Sequence, residues 1–125
     1  MTTFIYVLRD PRTDEPRYIG KTKDIYQRLW SHTLVGERLK KSNYNLYTWL
    51  RGLKDDGLLP VLEIVDRSTH SKAGKLESEW ISWGYANGLR LFNVQNAGPR
   101  NIKKSFPAES FETGLVVGRR LHEAR

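Results

Sequence analysis

Residues 4–32 read FIYVLRDPRTDEPRYIGKTKDIYQRLWSH. The stretch divides into four pieces. Residues 3–9 are β-branched and aromatic, which predicts a strand, and the run is nearly continuously apolar, which predicts cover on both faces. Residues 10–16 hold two prolines and three acids, which predicts a turn or hairpin loop. Residues 17–20 predict a short strand returning beside the first, and Gly20 a sharp bend out of it. Thr22 is the expected N-cap of a helix, with Asp24 in its first turn. Ile25, Leu29 and His32 recur at helical spacing and Arg28 stands one turn before His32, so one helical stripe carries apolar residues beside Arg28 and His32.

Outward from that stretch, residues 36–42 read as a basic loop. A helix follows from about Asn43 to Asp56, with Leu46, Trp49, Leu50 and Leu53 on one face and Gly57 as its stop. Pro60 precedes a third strand marked by Val61, Leu62, Ile64 and Val65. Ser71 is the expected cap of a helix running to about Asn87, with Leu76, Trp80 and Trp83 as its apolar stripe. Residues 89–94 are expected to be extended, and Asn96 to Pro99 to close the unit. The order of elements predicts an α+β domain over residues 1–99: a small three-stranded, mainly antiparallel sheet flanked by about three helices. Residues 100–125 form a basic C-terminal extension, with six bases against three acids and a short helix expected from about Glu109.

Composition narrows the class of function. Among 125 residues, 38% are apolar and 11% aromatic, enough for one core. Cysteine is absent, which excludes disulfides and thiolate metal sites. No apolar run approaches the ~18 residues of a membrane span, and the first ten residues lack the basic and apolar regions of a signal peptide. The expectation is an intracellular protein, cytoplasmic or nucleoid-associated, not secreted and without a membrane partner. The formal net charge is +7 and is unevenly spread. Residues 17–54 hold nine bases against two acids, with Tyr18, Tyr26, Trp30, Tyr44, Tyr47 and Trp49 among them, whereas residues 55–79 hold three bases against six acids. A basic block with interleaved aromatics suits a polyanion such as DNA.

Ile5-Tyr6 in the first strand, Tyr18-Ile19-Gly20 in the second, then Lys21, Arg28 and His32 resemble the N-terminal half of a GIY-YIG nuclease domain. Leu76 to Ile81 (LESEWI) resembles the family's metal-binding glutamate segment, Leu91 to Val94 (LFNV) its asparagine segment, and Ala97-Gly98 its small-residue end. The resemblance spans residues 3–98. Two departures stand out: Phe4 occupies the place of the family's first glycine, and the linker between the tyrosines is slightly long. The resemblance implies a DNA endonuclease of the homing, phage or mobile-element type, with a single-metal mechanism. It implies Tyr18 as general base, Tyr6 hydrogen-bonding beside it, and Glu77 as the one protein ligand of the metal.

The residues can also be weighed as chemistry. Phosphodiester hydrolysis needs a nucleophilic water, charge neutralisation at the phosphoryl oxygens and help for the leaving oxygen. A tyrosine removes a proton from water only if its pKa, ordinarily ~10, is lowered by cations, and Lys21, Lys23 and Arg28 are close to Tyr18 in sequence. Taken alone, two strand tyrosines are more often half-buried structural residues; the surrounding pattern reverses that. Arg28 offers a planar fork for a phosphate. His32 can orient water, contact phosphate or act as an acid near neutral pH. Lys21 and Lys23 are the expected substrate contacts. Glu77 shares a helical face with Trp80 and Ile81, so its carboxylate is partly desolvated, and a hard oxygen ligand suits Mg²⁺ or Mn²⁺. Glu79 falls with Lys72, Lys75 and Ser82 on the expected solvent side. Asn93 is expected to bind substrate or to fix geometry near the metal or the tyrosines; as a turn asparagine it reads nearly as well. A stand-alone restriction or structure-selective endonuclease, a non-catalytic nucleic-acid binder keeping the fold, and a basic protein–protein adaptor are the competing readings. Ser105 to Gly114 bears a faint likeness to small DNA-binding repeats found after homing-endonuclease catalytic domains.

Overall fold

The computed structural model describes residues 2–94. In chain order they form β1 (Thr2–Arg9), β2 (Pro16–Thr22), α1 (Ile25–Leu34), α2 (Glu37–Ser42), α3 (Tyr44–Asp55), β3 (Val61–Thr69) and α4 (His70–Ala86). The sheet order is β2-β1-β3 and both pairings are antiparallel. The fold is therefore the expected α+β arrangement, with one short helix more than the sequence suggested.

β1 is the central strand, which is why it reads as nearly continuous apolar sequence. Its alternate side chains enter two separate cores. Ile5 and Val7 pack with Ile19, Val65 and Trp80, the last from α4. Tyr6 and Leu8 face the other way, into Ile25, Leu29, Leu46 and Leu50 from α1 and α3. Ile5, Val7 and Leu8 are each 0% exposed, and burying such a side chain stabilises by ~1.5–3 kcal/mol. A slip of one residue would exchange the two sets, so the register is strongly specified. The pairing of β1 with β3 is irregular between Ile5 and Tyr6, next to the first tyrosine.

Several local expectations change. β2 runs on to Thr22, so Gly20 lies inside a strand rather than at a bend; among described glycines only Gly57 and Gly88 have positive φ. Thr22 therefore cannot cap α1. Asp24 does, its carboxylate accepting the Gln27 N–H at 3.0 Å. Residues 36–42, expected as a loop, contain α2. Its single apolar side chain, Leu39, packs on the core, and six residues are too few to display a periodic stripe. α3 begins one residue after the expected Asn43, which caps it by accepting from the Leu46 N–H. α4 starts at His70 with Thr69 as its N-cap, two residues ahead of the expected cap Ser71. Ser82, expected toward solvent, is 3% exposed. The chain returning after α4 accounts for cover on more than one side of that helix: a Cβ on Gly84 would lie 2.8 Å from Leu91 Cδ1.

That returning segment, residues 89–94, is extended without forming a strand. Phe92 N–H donates to Arg17 O at 2.7 Å. The Asn93 amide accepts from Ile19 N–H at 2.8 Å and donates to Ile19 O at 2.7 Å. The outer edge of β2 is thus partly covered, which blunts an otherwise unpaired strand edge. Asn96 to Pro99 and the basic extension over residues 100–125 lie outside the described residues. No described helix is long and apolar enough to cross a membrane.

Candidate active site

The two tyrosines share one face of the sheet because the antiparallel register sets Tyr6 opposite Gly20 and Tyr18 opposite Leu8. The Tyr6 ring lies across Gly20. A Cβ there would be 2.6 Å from Tyr6 Cζ, so only glycine lets the ring pass over the edge strand. Close approach, and not a bend, is what position 20 requires. The Tyr6 hydroxyl then reaches Nε2 of His32 at 2.8 Å. The three rings form a compact group: Tyr6–Tyr18 centroids are 6.4 Å apart, Tyr6–His32 5.9 Å and Tyr18–His32 5.8 Å.

α1 supplies the histidine from its buried stripe, alongside Ile25 and Leu29. Arg28, one turn earlier, is half-buried, and its Nε has no hydrogen-bond partner among the described residues. Glu77 approaches from α4, on the other side of the sheet, with Trp80 buried beside it in the α4 core. The sequence reading placed Glu77 in a partly desolvated position, and the structure leaves it half-buried there. It makes no hydrogen bond or ion pair among the described residues.

Electrostatics tie these groups together. Burial and the charge of Arg28 lower the His32 pKa to about 4. His32 is therefore neutral near pH 7. Burial raises Tyr6 well above 10, with Tyr18 and Glu77 adding to the rise and Arg28 opposing it. Burial and then Glu77 raise Tyr18, against the lowering by Arg28. Nearness in sequence to three bases does not lower the Tyr18 pKa in this state, because desolvation and a facing carboxylate outweigh the one cation that acts on it. Burial raises Glu77 also, while Lys21 and Arg28 pull it down.

Lys21, Lys23 and Arg28 line one cleft of about 320 Å³. Asn93 stands apart from them. Each end of its amide bonds to the backbone of Ile19, between Tyr18 and Gly20, so it positions the strand. Thr3, Gln27 and His70 line the same cleft and were not singled out from the sequence. Nothing local marks them: the pairing of β1 with β3 brings the two ends of this set together.

Among the described residues no three His, Asp or Glu side chains cluster as a metal cage. A single half-buried carboxylate without a partner suits a divalent cation that keeps several waters and shares a substrate phosphate.

The family model of the GIY-YIG catalytic domain matches residues 2–90. No curated protein and no solved structure gives a match. The family supports a nuclease function, and with it a nucleic-acid substrate. Divalent metals are typical of such nucleases. The match runs through every described strand and helix, and the chain belongs to the GIY-YIG catalytic domain family.

Proposed function

We propose that this protein is a metal-dependent DNA endonuclease in which Glu77 holds Mg²⁺ or Mn²⁺, Tyr18 is the general base and Arg28 grips the phosphate under attack. One observation carries the reading. Arg28 and Glu77 are opposite charges, each partly buried and acting on the other, yet neither side chain makes a hydrogen bond or ion pair among the described residues. Buried charges are ordinarily paired or metal-bound. A phosphate and a cation are the two groups that would satisfy them together.

The side chains then divide the work. Arg28 presents a fork to the phosphoryl oxygens, where charge grows in the transition state. Neutral His32 shares a hydrogen bond with the Tyr6 hydroxyl and holds it beside Tyr18. Tyr18 takes the proton of the attacking water. A divalent cation at Glu77 would supply Lewis acidity to a phosphoryl oxygen and cancel the carboxylate charge that raises Tyr18. With that charge offset, burial still raises the Tyr18 pKa, and the charge of Arg28 opposes it in favour of the phenolate. Lys21 and Lys23 add phosphate contacts, and Asn93 holds the strand that carries Tyr18 in place.

Among types of nuclease, a homing, phage or mobile-element enzyme is the reading we favour, ahead of a restriction or structure-selective one. The test of the activity is plasmid nicking with Mg²⁺, Mn²⁺ or chelator, run beside Glu77→Ala. Metal-dependent nicking lost in the variant supports the proposal. Salt-sensitive DNA binding without any cleavage would favour a binding module that keeps the fold.

A further inference from the structure

The cleft lined by Lys21, Lys23 and Arg28 holds more than the cleavage chemistry uses. Thr3 is 2% exposed, and its Oγ1 has no hydrogen-bond partner among the described residues. A buried hydroxyl without a partner is destabilising, and such groups are few in folded proteins. The residue that carries it lines an open cleft, together with His70, Lys23 and Arg28, with the hydroxyl just beneath the cleft surface. Arg28 Nε is a second buried donor without a partner on the same cleft. α4 begins at His70, and Thr69 before it makes no side-chain cap bond, so the first-turn N–H groups lack that satisfaction. One acid also lines the cleft, Asp24, and its carboxylate is engaged by the Gln27 N–H. Two donors without partners and the cationic side chains of Lys21, Lys23 and Arg28 converge here beside one carboxylate, which is the chemistry of an anion site.

The phosphate under attack does not fill this cleft. Tyr6, Tyr18 and Glu77 do not line it, whereas Arg28 belongs to both places. We propose that the cleft receives a second phosphate of the same nucleic-acid strand, adjacent to the one at the cleavage centre, with Thr3 Oγ1 and the His70 imidazole donating to its non-bridging oxygens. The nuclease reading supplies only the identity of the anion as part of a strand. The consequence is a substrate requirement: the strand must continue past the cleaved bond on the side of β1 and the start of α4, so a substrate ending at that bond is held poorly.

The probe is a thymidine dinucleotide, with and without a 5′-phosphate, titrated in chelator against the full chain and followed by nuclear magnetic resonance shifts. The wild type is expected to bind the two-phosphate form about tenfold tighter than the one-phosphate form. That ratio is expected to fall toward one in Thr3→Val and in His70→Ala. Thr3→Val should melt at a higher temperature than the wild type, because it removes an unpaired buried hydroxyl in a nearly isosteric exchange, so a fall in its ratio cannot come from unfolding. Ratios unchanged in both variants would overturn the proposal, as would equal binding of the two dinucleotides by the wild type. Inorganic phosphate binding at Thr3 and His70 as tightly as the two-phosphate dinucleotide would also overturn it, making the cleft a free-phosphate site. Nicking by the wild type with unchanged ratios removes the second site and leaves the nuclease. The expected ratios without nicking remove the nuclease and leave a two-phosphate binding surface.

Discussion

The Tyr6 hydroxyl and Nε2 of His32 meet at 2.8 Å, from side chains 1% and 7% exposed. The pair joins the central strand to α1 at the site. Each partner is costly to bury alone, since a polar group left unsatisfied in the interior costs ~1–3 kcal/mol. Together they lock a tyrosine ring across Gly20 and leave its hydroxyl beside Tyr18.

His32 makes the stability of the fold depend on pH. Unfolded, it titrates near 6.5; folded, at about 4. Between those values the unfolded chain binds more protons, so stability rises with pH through that window. The contribution is fully present above about pH 6.5 and lost as the pH falls to about 4. At ~1.4 kcal/mol per pKa unit it amounts to roughly 3 kcal/mol. Glu77, raised by burial, acts in the opposite direction above the ordinary carboxyl range. The informative comparison is therefore with His32→Gln. Urea midpoints at pH 7.0, 5.5 and 4.5 should drop for the wild type and stay flatter for the variant; parallel curves would assign the titration elsewhere.

Glu77→Gln should separate stability from activity. Burial disfavours the charged form of Glu77, so the neutral side chain should leave the melting temperature at pH 7 unchanged or higher. Metal-dependent cleavage should fall by at least ~100-fold, the scale for losing one transition-state electrostatic group. DNA binding in chelator should survive or tighten. The Tyr18 pKa should also fall, because Glu77 is one of the causes that raise it. An absorbance titration of the phenols that is superimposable on wild type would show that the two groups do not face one another.

Two glycines should respond oppositely to alanine. At Gly20 the new Cβ would meet the buried Tyr6 ring, which has nowhere to go. Gly20→Ala should destabilise by ~1–3 kcal/mol, the range for overpacking, and should impair cleavage. Gly52 sits inside α3 with nothing within 4 Å of its Cβ position. Gly52→Ala should stabilise by up to ~1 kcal/mol through helix propensity. Thermal melts of both variants check the pair; a neutral Gly20→Ala would mean the ring moves aside.

Arg28→Lys keeps the charge and removes the fork. Since Arg28 Nε has no partner among the described residues, the fold should tolerate the exchange. Substrate affinity should drop by ~1.5–3 kcal/mol, the range for hydrogen bonds to a charged group. Binding of a labelled DNA duplex in chelator reads this directly. Wild-type affinity in the variant would reduce Arg28 to a point charge.

The sequence by itself determined the central strand, since a short β-branched and aromatic apolar run from Phe4 to Leu8, stopped by a Pro-containing turn, suits a strand covered on both faces. It also determined the faces of α1 and α3, and the order of Tyr6, Tyr18, Arg28, His32 and Glu77 along the chain. These follow from the backbone periods of strand and helix, which are local. It did not reveal α2, where six residues carry one apolar side chain. What a residue does at the site was decided by neighbours distant in the chain. Gly20 exists for a ring fourteen residues before it, Asn93 for the backbone of Ile19, and His32 is neutral because the fold buries it beside Arg28. Tyr18 looked basic in its surroundings and proved to be governed by desolvation and by Glu77 from another helix. Thr3 and His70 meet on one cleft only because β1 pairs with β3. Burial and through-space charge set pKa values and unsatisfied donors, and both exist only once the chain is folded.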